Sequence, residues 1–213
     1  MRLITLFILG AIFFSSCSSV GFHDYAEYNP EKAAKLIKRL KNDTLLVAYP
    51  TYQEKEKIVR SALKQFPESK KKLWKDLEDV KNDRESNMKT IVSAFNENFT
   101  FCRYLFIPDS LVHAFEKGED GPFFLGKDNK LDPKISYSNR SPFKYVHRSD
   151  TKWEFVIKND LLPNPFPNHV FYRNNLLELL GVEDFGVIFK KITNAFQRRL
   201  EKFYSNPTRA VRY

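Results

Sequence analysis

Glycine is scarce in this chain, 7 of 213 residues or about 3%, against ~7% in an average protein. None of the seven falls in a G-x-G-x-x-G or G-K-[ST] arrangement, which excludes a glycine-rich phosphate cradle. Two cysteines, Cys17 and Cys102, cannot make a disulfide framework or a thiolate zinc site. The four histidines (His23, His113, His147 and His169) do not pair with one another or with acids at zinc-helix spacing, and no H-E-x-x-H occurs. The G-x-S-x-G elbow that exposes a hydrolase serine is also missing. No catalytic, metal-ligating or cofactor-binding residue is therefore expected. What is present is ordinary for a folded domain: 42% hydrophobic and 29% charged residues, with an aromatic surplus of 20 Phe, 10 Tyr and 2 Trp. Internal repeats and low-complexity segments are absent, and the length suits one core.

Residues 1–16 differ in kind from the rest. Arg2 is their only charge, residues 3–14 are apolar, and Ser15-Ser16-Cys17-Ser18-Ser19 follows. Twelve residues rise about 18 Å as a helix, well short of a ~30 Å hydrocarbon core. A positive end, a short apolar middle and a small-residue exit predict a secretory signal peptide. Phe14-Ser15-Ser16-Cys17 resembles the lipobox of bacterial lipoproteins, in the relaxed form of Bacteroidota-type members, with Phe14 for the usual leucine and Ser16 for glycine or alanine. The resemblance implies that Cys17 is the lipid attachment residue and the first residue of the mature chain. Domain organisation then reads as signal peptide 1–16, tether 17–29 and one globular domain 30–213. The implied address is the cell envelope, lipid-anchored at the periplasmic face of the outer membrane, because Ser18 offers no acidic retention signal and Ser18-Ser19-Val20 no acidic export run. An ordinary signal peptide cut near Ser16 is the competing reading.

Export changes the meaning of charge. The formal charge of +9 falls to +8 when Arg2 is removed, leaving 34 basic against 26 acidic residues. Nucleic acid, the usual partner of a basic protein, is out of reach of an exported chain. Most charges interleave; the exception is the carboxyl-terminal run of Lys190, Lys191, Arg198, Arg199, Lys202, Arg209 and Arg212, which faces only Glu201. Anionic headgroups or an envelope protein partner fit that run, and a solvated helix face is the plainer alternative. With Cys17 acylated, Cys102 is alone and is expected to be buried as a small apolar group.

Along the mature chain, Pro30-Glu31 opens a helix with Leu36, Ile37 and Leu40 on its apolar face. Residues 44–49 form a continuous apolar run, as expected for a strand covered on both faces. Thr51-Tyr52-Gln53-Glu54 matches a capping box and predicts a helix with Ile58, Ala62 and Leu63 as its buried stripe. A longer helix over about 68–96 should project or break at the wholly polar 81–87. Residues 99–107 read as a second strand, with Asp109 or Ser110 capping a short helix that stops before Gly118. A strand is expected at 123–125 leading into a polar turn, irregular chain over 131–148, a strand at 153–157 and a short helix at 176–180. Phe185, Ile188, Phe189, Ile192, Phe196, Leu200 and Phe203 recur at helical spacing and predict a long amphipathic carboxyl-terminal helix packed on the core, with a helix lying on a membrane, basic face outward, as the alternative.

The fold class that follows is α/β or α+β: one mixed sheet of about four strands flanked by helices. The order β-α-β-α-β-β-α resembles the core topology of thioredoxin-like domains, without their redox cysteines: Pro50-Thr51-Tyr52 stands where C-x-x-C would be. Asp43-Thr44-Leu45 and Asp109-Ser110-Leu111 resemble the short O-glycosylation sites of Bacteroidota envelope proteins, at places where burial or capping is expected. The function that fits is a non-catalytic binding or accessory domain of the envelope. Two alternatives stay open: an envelope hydrolase or carbohydrate-active enzyme with a dispersed site among Asp109, His113, His147 and nearby acids, and a carrier of apolar ligands lined by the aromatic surplus.

Overall fold

The computed structural model describes residues 30–139, 142–147, 154–158, 170–171 and 185–206. The signal peptide, Cys17 and the tether lie outside them, as do the helix expected at 176–180, His23, His169, Arg209 and Arg212.

Helix α1 (Pro30–Asn42) has Glu31 in its first turn and Arg39 and Lys41 in its last, so its charges oppose the macrodipole at both ends. Asp43 alone links it to β1 (Thr44–Tyr49), which is buried at every position. This strand is the centre of a mixed sheet: β2 (Arg103–Pro108) and β3 (Phe143–His147) flank it and run parallel to it. Antiparallel to β3 is β4 (Glu154–Lys158), and β5 (Val170–Phe171) is antiparallel to β4, giving the order β2-β1-β3-β4-β5. The α/β class is therefore as expected, with a three-stranded parallel part and two antiparallel strands beyond it.

Two assignments change. Residues 123–125 form no strand: Phe123 and Phe124 are buried under the sheet, and Leu125 makes one antiparallel bridge to Leu131. The polar turn between them is present, closed by Gly126 N–H donating to the Lys130 carbonyl at 2.7 Å with Asn129 left-handed at φ 60°. The third strand comes instead from 143–147, inside the stretch expected to be irregular. Phe143 and Tyr145 there are fully buried on one face, so the alternation was present but short.

Alternate residues of β1 feed two cores. Leu45, Val47 and Tyr49 face α1, the second half of α3 (Lys70–Asn98) and α5 (Phe185–Ser205). Leu46 and Ala48 face the other side, where α4 (Val112–Lys117) supplies Phe115, joined by Phe123 and Phe124. Gly118, left-handed at φ 79°, ends α4 as expected. The expected stripe of α5 is in the core: Ile188, Phe189, Ile192, Phe196, Leu200 and Phe203 are all at most 4% exposed. Gln197 on the same helix accepts from the backbone N–H groups of Thr100 and Phe101 at 3.0 and 2.9 Å, satisfying the two donors just before β2.

The segment between β1 and β2 departs from the sheet. Helix α2 (Gln53–Gln65) runs out, a 3-10 turn at Pro67–Ser69 reverses the chain, and α3 returns as one unbroken helix through 81–87. Contacts between Lys55 and Asp83, Glu56 and Arg84, and Tyr52 and Asn87 fix an antiparallel register. No residue of α2 is buried, which corrects the expected stripe: Ala62 and Leu63 are only partly covered and Ile58 is 68% exposed. The reason is that α2 packs on α3 alone, so its apolar residues meet one helix rather than a core. The capping box is not formed either. Tyr52, not Thr51, is the N-cap, shifting the helix start by one residue, and no side-chain cap bond is made.

A contrast in stability follows. Phe95→Ala, at a fully buried position, is expected to cost about 3–5 kcal/mol, whereas Ile58→Ala should stay within about 0.5 kcal/mol. Urea unfolding of both variants checks this, and similar losses would contradict the helical arm described here.

Candidate functional site

Three parallel strands end at one edge of the sheet, at Tyr49, Pro108 and His147. The chain leaves β1 toward the α3 face and leaves β2 toward the α4 face. Where adjacent connections diverge in this way, open α/β sheets offer a crevice for ligands. Here the two connections are tied to each other. Asp109 Oδ1 accepts from the backbone N–H of Thr51 at 3.0 Å and from the Thr51 hydroxyl at 2.5 Å. This explains why neither residue caps a helix: the 3-10 turn Asp109–Leu111 and α4 carry no side-chain cap bond, since the Asp109 carboxylate is committed across the crevice.

Around that latch stand two phenols and a charged network. Tyr49 is pushed up to about 12 by burial, with the Asp109 charge adding to the shift and Arg84 opposing it. Tyr52 is also raised by burial, and its hydroxyl accepts from Asn87 Nδ2 at 2.7 Å. Its backbone is left-handed at φ 53° and ψ 27°, a conformation costing a non-glycine residue roughly 1–2 kcal/mol. Arg60 and Arg84 share Glu56, at 2.7 and 3.4 Å, and the Arg60 hydrogen bond holds that carboxyl below its usual range. The edge thus presents neutral phenols, an amide and paired charges. Such groups donate and accept hydrogen bonds.

The three residues named for a dispersed hydrolase site are placed as follows. Asp109 lies at the edge, His113 is exposed on α4, and the backbone of His147 reaches the same edge at the end of β3. Among the described residues no three of His, Cys, Asp and Glu stand close enough to hold a metal ion. Cys102 is half-buried against the core just before β2, and burial pushes its thiol up to about 12. Thr44 is buried while Ser110 is exposed, so of the two short glycosylation-like motifs only the second offers its hydroxyl to solvent. On α5, Lys190 bonds Glu97 of α3 at 2.8 Å, so this member of the basic run is partly neutralised.

Sequence reasoning reached Asp109 and Thr51 but gave each a local capping role. Their true partners are 58 residues apart, a separation no short motif spans. Tyr52 and Asn87 carried no signal at all, since tyrosine is not a residue that marks a left-handed turn. Comparison with known proteins returns no match: no family model, no curated protein and no solved structure is significantly similar to this chain.

Two outcomes are expected. The Cys102 thiol stays protonated at neutral pH, so the native protein should react slowly with a thiol reagent at pH 8 and promptly in urea; fast native reaction would contradict its burial. Tyr49 and Tyr137 are both raised from 10.0 to about 12 by burial, Tyr137 with help from Asp43, to which its hydroxyl donates. The unfolded chain then loses these protons first, so stability is complete below pH 10 and declines between about pH 10 and 12. Urea midpoints across that range should fall, and less steeply in Tyr137→Phe.

Proposed function

We propose that this chain is a lipid-anchored envelope protein, held through Cys17, whose domain acts as a non-catalytic binding or accessory component. The sequence up to Cys17 supports the anchor: a charge, a short apolar run, small residues and a cysteine in that order. Two or more acyl chains give stable attachment, each buried methylene contributing about 0.8 kcal/mol. The face proposed is the periplasmic side of the outer membrane.

One observation carries the binding reading. The crevice at the carboxyl edge, where an α/β enzyme would place its substrate, is bridged by the Thr51–Asp109 pair, and the phenols beside it are held protonated. An edge of this kind suits recognition by hydrogen bonds.

The anchor is tested by intact mass of the protein extracted from membranes of the producing cell. The expected mass is that of a chain beginning at Cys17 plus a diacylglyceryl group, with Cys17→Ala moving to the soluble fraction or retaining its leader. A soluble wild-type chain still beginning at Met1 would overturn the proposal and restore nucleic acid as a partner.

A further inference from the structure

The far end of the helical arm combines features that burial and helix stability would each disfavour. Phe66 and Trp74 are 50% and 57% exposed. Phe66 is the C-cap of α2 and Trp74 lies in the second turn of α3, so the two residues flank the reversal of the chain. Around them Lys64, Lys70, Lys71, Lys72 and Lys75 are all exposed, against Glu68 and Asp76. Among the described residues no carboxylate lies within ion-pair distance of any of the five lysines, whereas Lys55, Lys57, Lys89 and Lys190 elsewhere on the arm and body each have one. Three of them open α3, which has no acid in its first turn and no side-chain cap. Positive charge there adds to the positive end of the helix dipole, an arrangement that weakens the helix and raises the potential at the tip.

We infer that the tip of this arm, residues 64–75, docks on an anionic phospholipid bilayer surface. Trp and Phe rings with lysines around them match that surface: the rings seat at headgroup depth, and the stems of the lysines lie along them with their ammonium groups on the phosphates. Charge complementarity selects the occupant, because a neutral apolar partner would leave five lysines facing it without counter-charge. Placement agrees. The arm leaves the sheet at the carboxyl end of β1. Helix α1 joins the other end of β1 through Asp43 alone and packs Leu36, Ile37 and Leu40 in the same core as Leu45 and Val47, so it has to run back along the strand and begin toward the carboxyl end. A chain held to the bilayer upstream of Pro30 would therefore reach the membrane on the side from which the arm projects. The docking itself does not depend on acylation of Cys17.

The test reads Trp74 locally, so attachment through the amino terminus cannot mimic it. Full-length chain carrying Trp153→Phe is mixed with vesicles of phosphatidylglycerol and phosphatidylcholine, or of phosphatidylcholine alone, with brominated acyl chains as quenchers. The expected result is a blue shift and quenching of Trp74 in the anionic vesicles, reversed by high salt and lost in K70Q/K71Q/K72Q. At about fivefold per lysine, that triple change weakens docking on the order of a hundredfold. All three positions are exposed, and their charges are repelled by the positive end of the α3 dipole, so the triple variant should melt no lower than its parent. Unquenched Trp74, equal quenching in neutral vesicles, or quenching indifferent to the three lysines would overturn the inference. A salt-sensitive shift on adding polyglutamate, with none on vesicles, would overturn it in favour of an acidic polypeptide.

Discussion

The fold depends on an aromatic seam between the sheet and its two long helices. Phe95 of α3 lies 5.1 Å from Phe99 and 5.3 Å from Tyr145 of β3, measured between ring centroids. Phe196 of α5 closes the circuit at 4.4 Å from Tyr145 and stacks on Phe99 at 5.6 Å. Edge-to-face and offset pairs of this kind add about 0.5–1.5 kcal/mol each beyond the area they bury. The seam is what makes a helix more than eighty residues downstream part of the same core as α3. It also sets the pitch of α3, whose second half is fixed to the sheet while its first half is free to extend as an arm.

From that constraint the functional surfaces follow. Because α3 must return to the amino edge before β2 can begin, the chain leaving β1 has to travel outward, and α2 is its outgoing limb. The base of the arm stands over the carboxyl edge, where Tyr52 is held left-handed and the Thr51–Asp109 pair bridges the crevice. The proposed role as an envelope binding component rests on the character of that edge together with the amino-terminal sequence; the tip of the arm supplies a second surface of different chemistry. One presents hydrogen-bonding phenols and paired charges, the other is basic and aromatic.

Elements with strong periodicity were legible in the sequence. The stripe of α5 and the apolar run of β1 could be read directly, because burial on one or both faces leaves a regular pattern. The α2 stripe misled for a physical reason: Ile58, Ala62 and Leu63 have helical spacing, but spacing cannot say whether the facing surface is a core or a lone partner helix. β3 was missed because Phe143 and Tyr145 are the only fully buried residues among those described there, too few to stand out next to Pro142. At the candidate site, the latch and the Tyr52–Asn87 contact join residues 58 and 35 positions apart. Such pairings exist only once the topology brings two loops to one edge, and no local pattern encodes them. Gln197 is similar, a polar residue on an apolar face whose purpose becomes plain only beside the N–H groups of Thr100 and Phe101.

The measurement that bears most directly on this construction is native-state hydrogen exchange, residue by residue. If the aromatic seam makes sheet and carboxyl-terminal helix one cooperative unit, amides at Ile192, Phe196 and Leu200 will open with the same free energy as those at Leu46 and Val47, while α2 exchanges well before them. Protection in α5 that is orders of magnitude weaker than in β1 would contradict the account, because the helix would then be an appendage and the seam no part of what holds the sheet together.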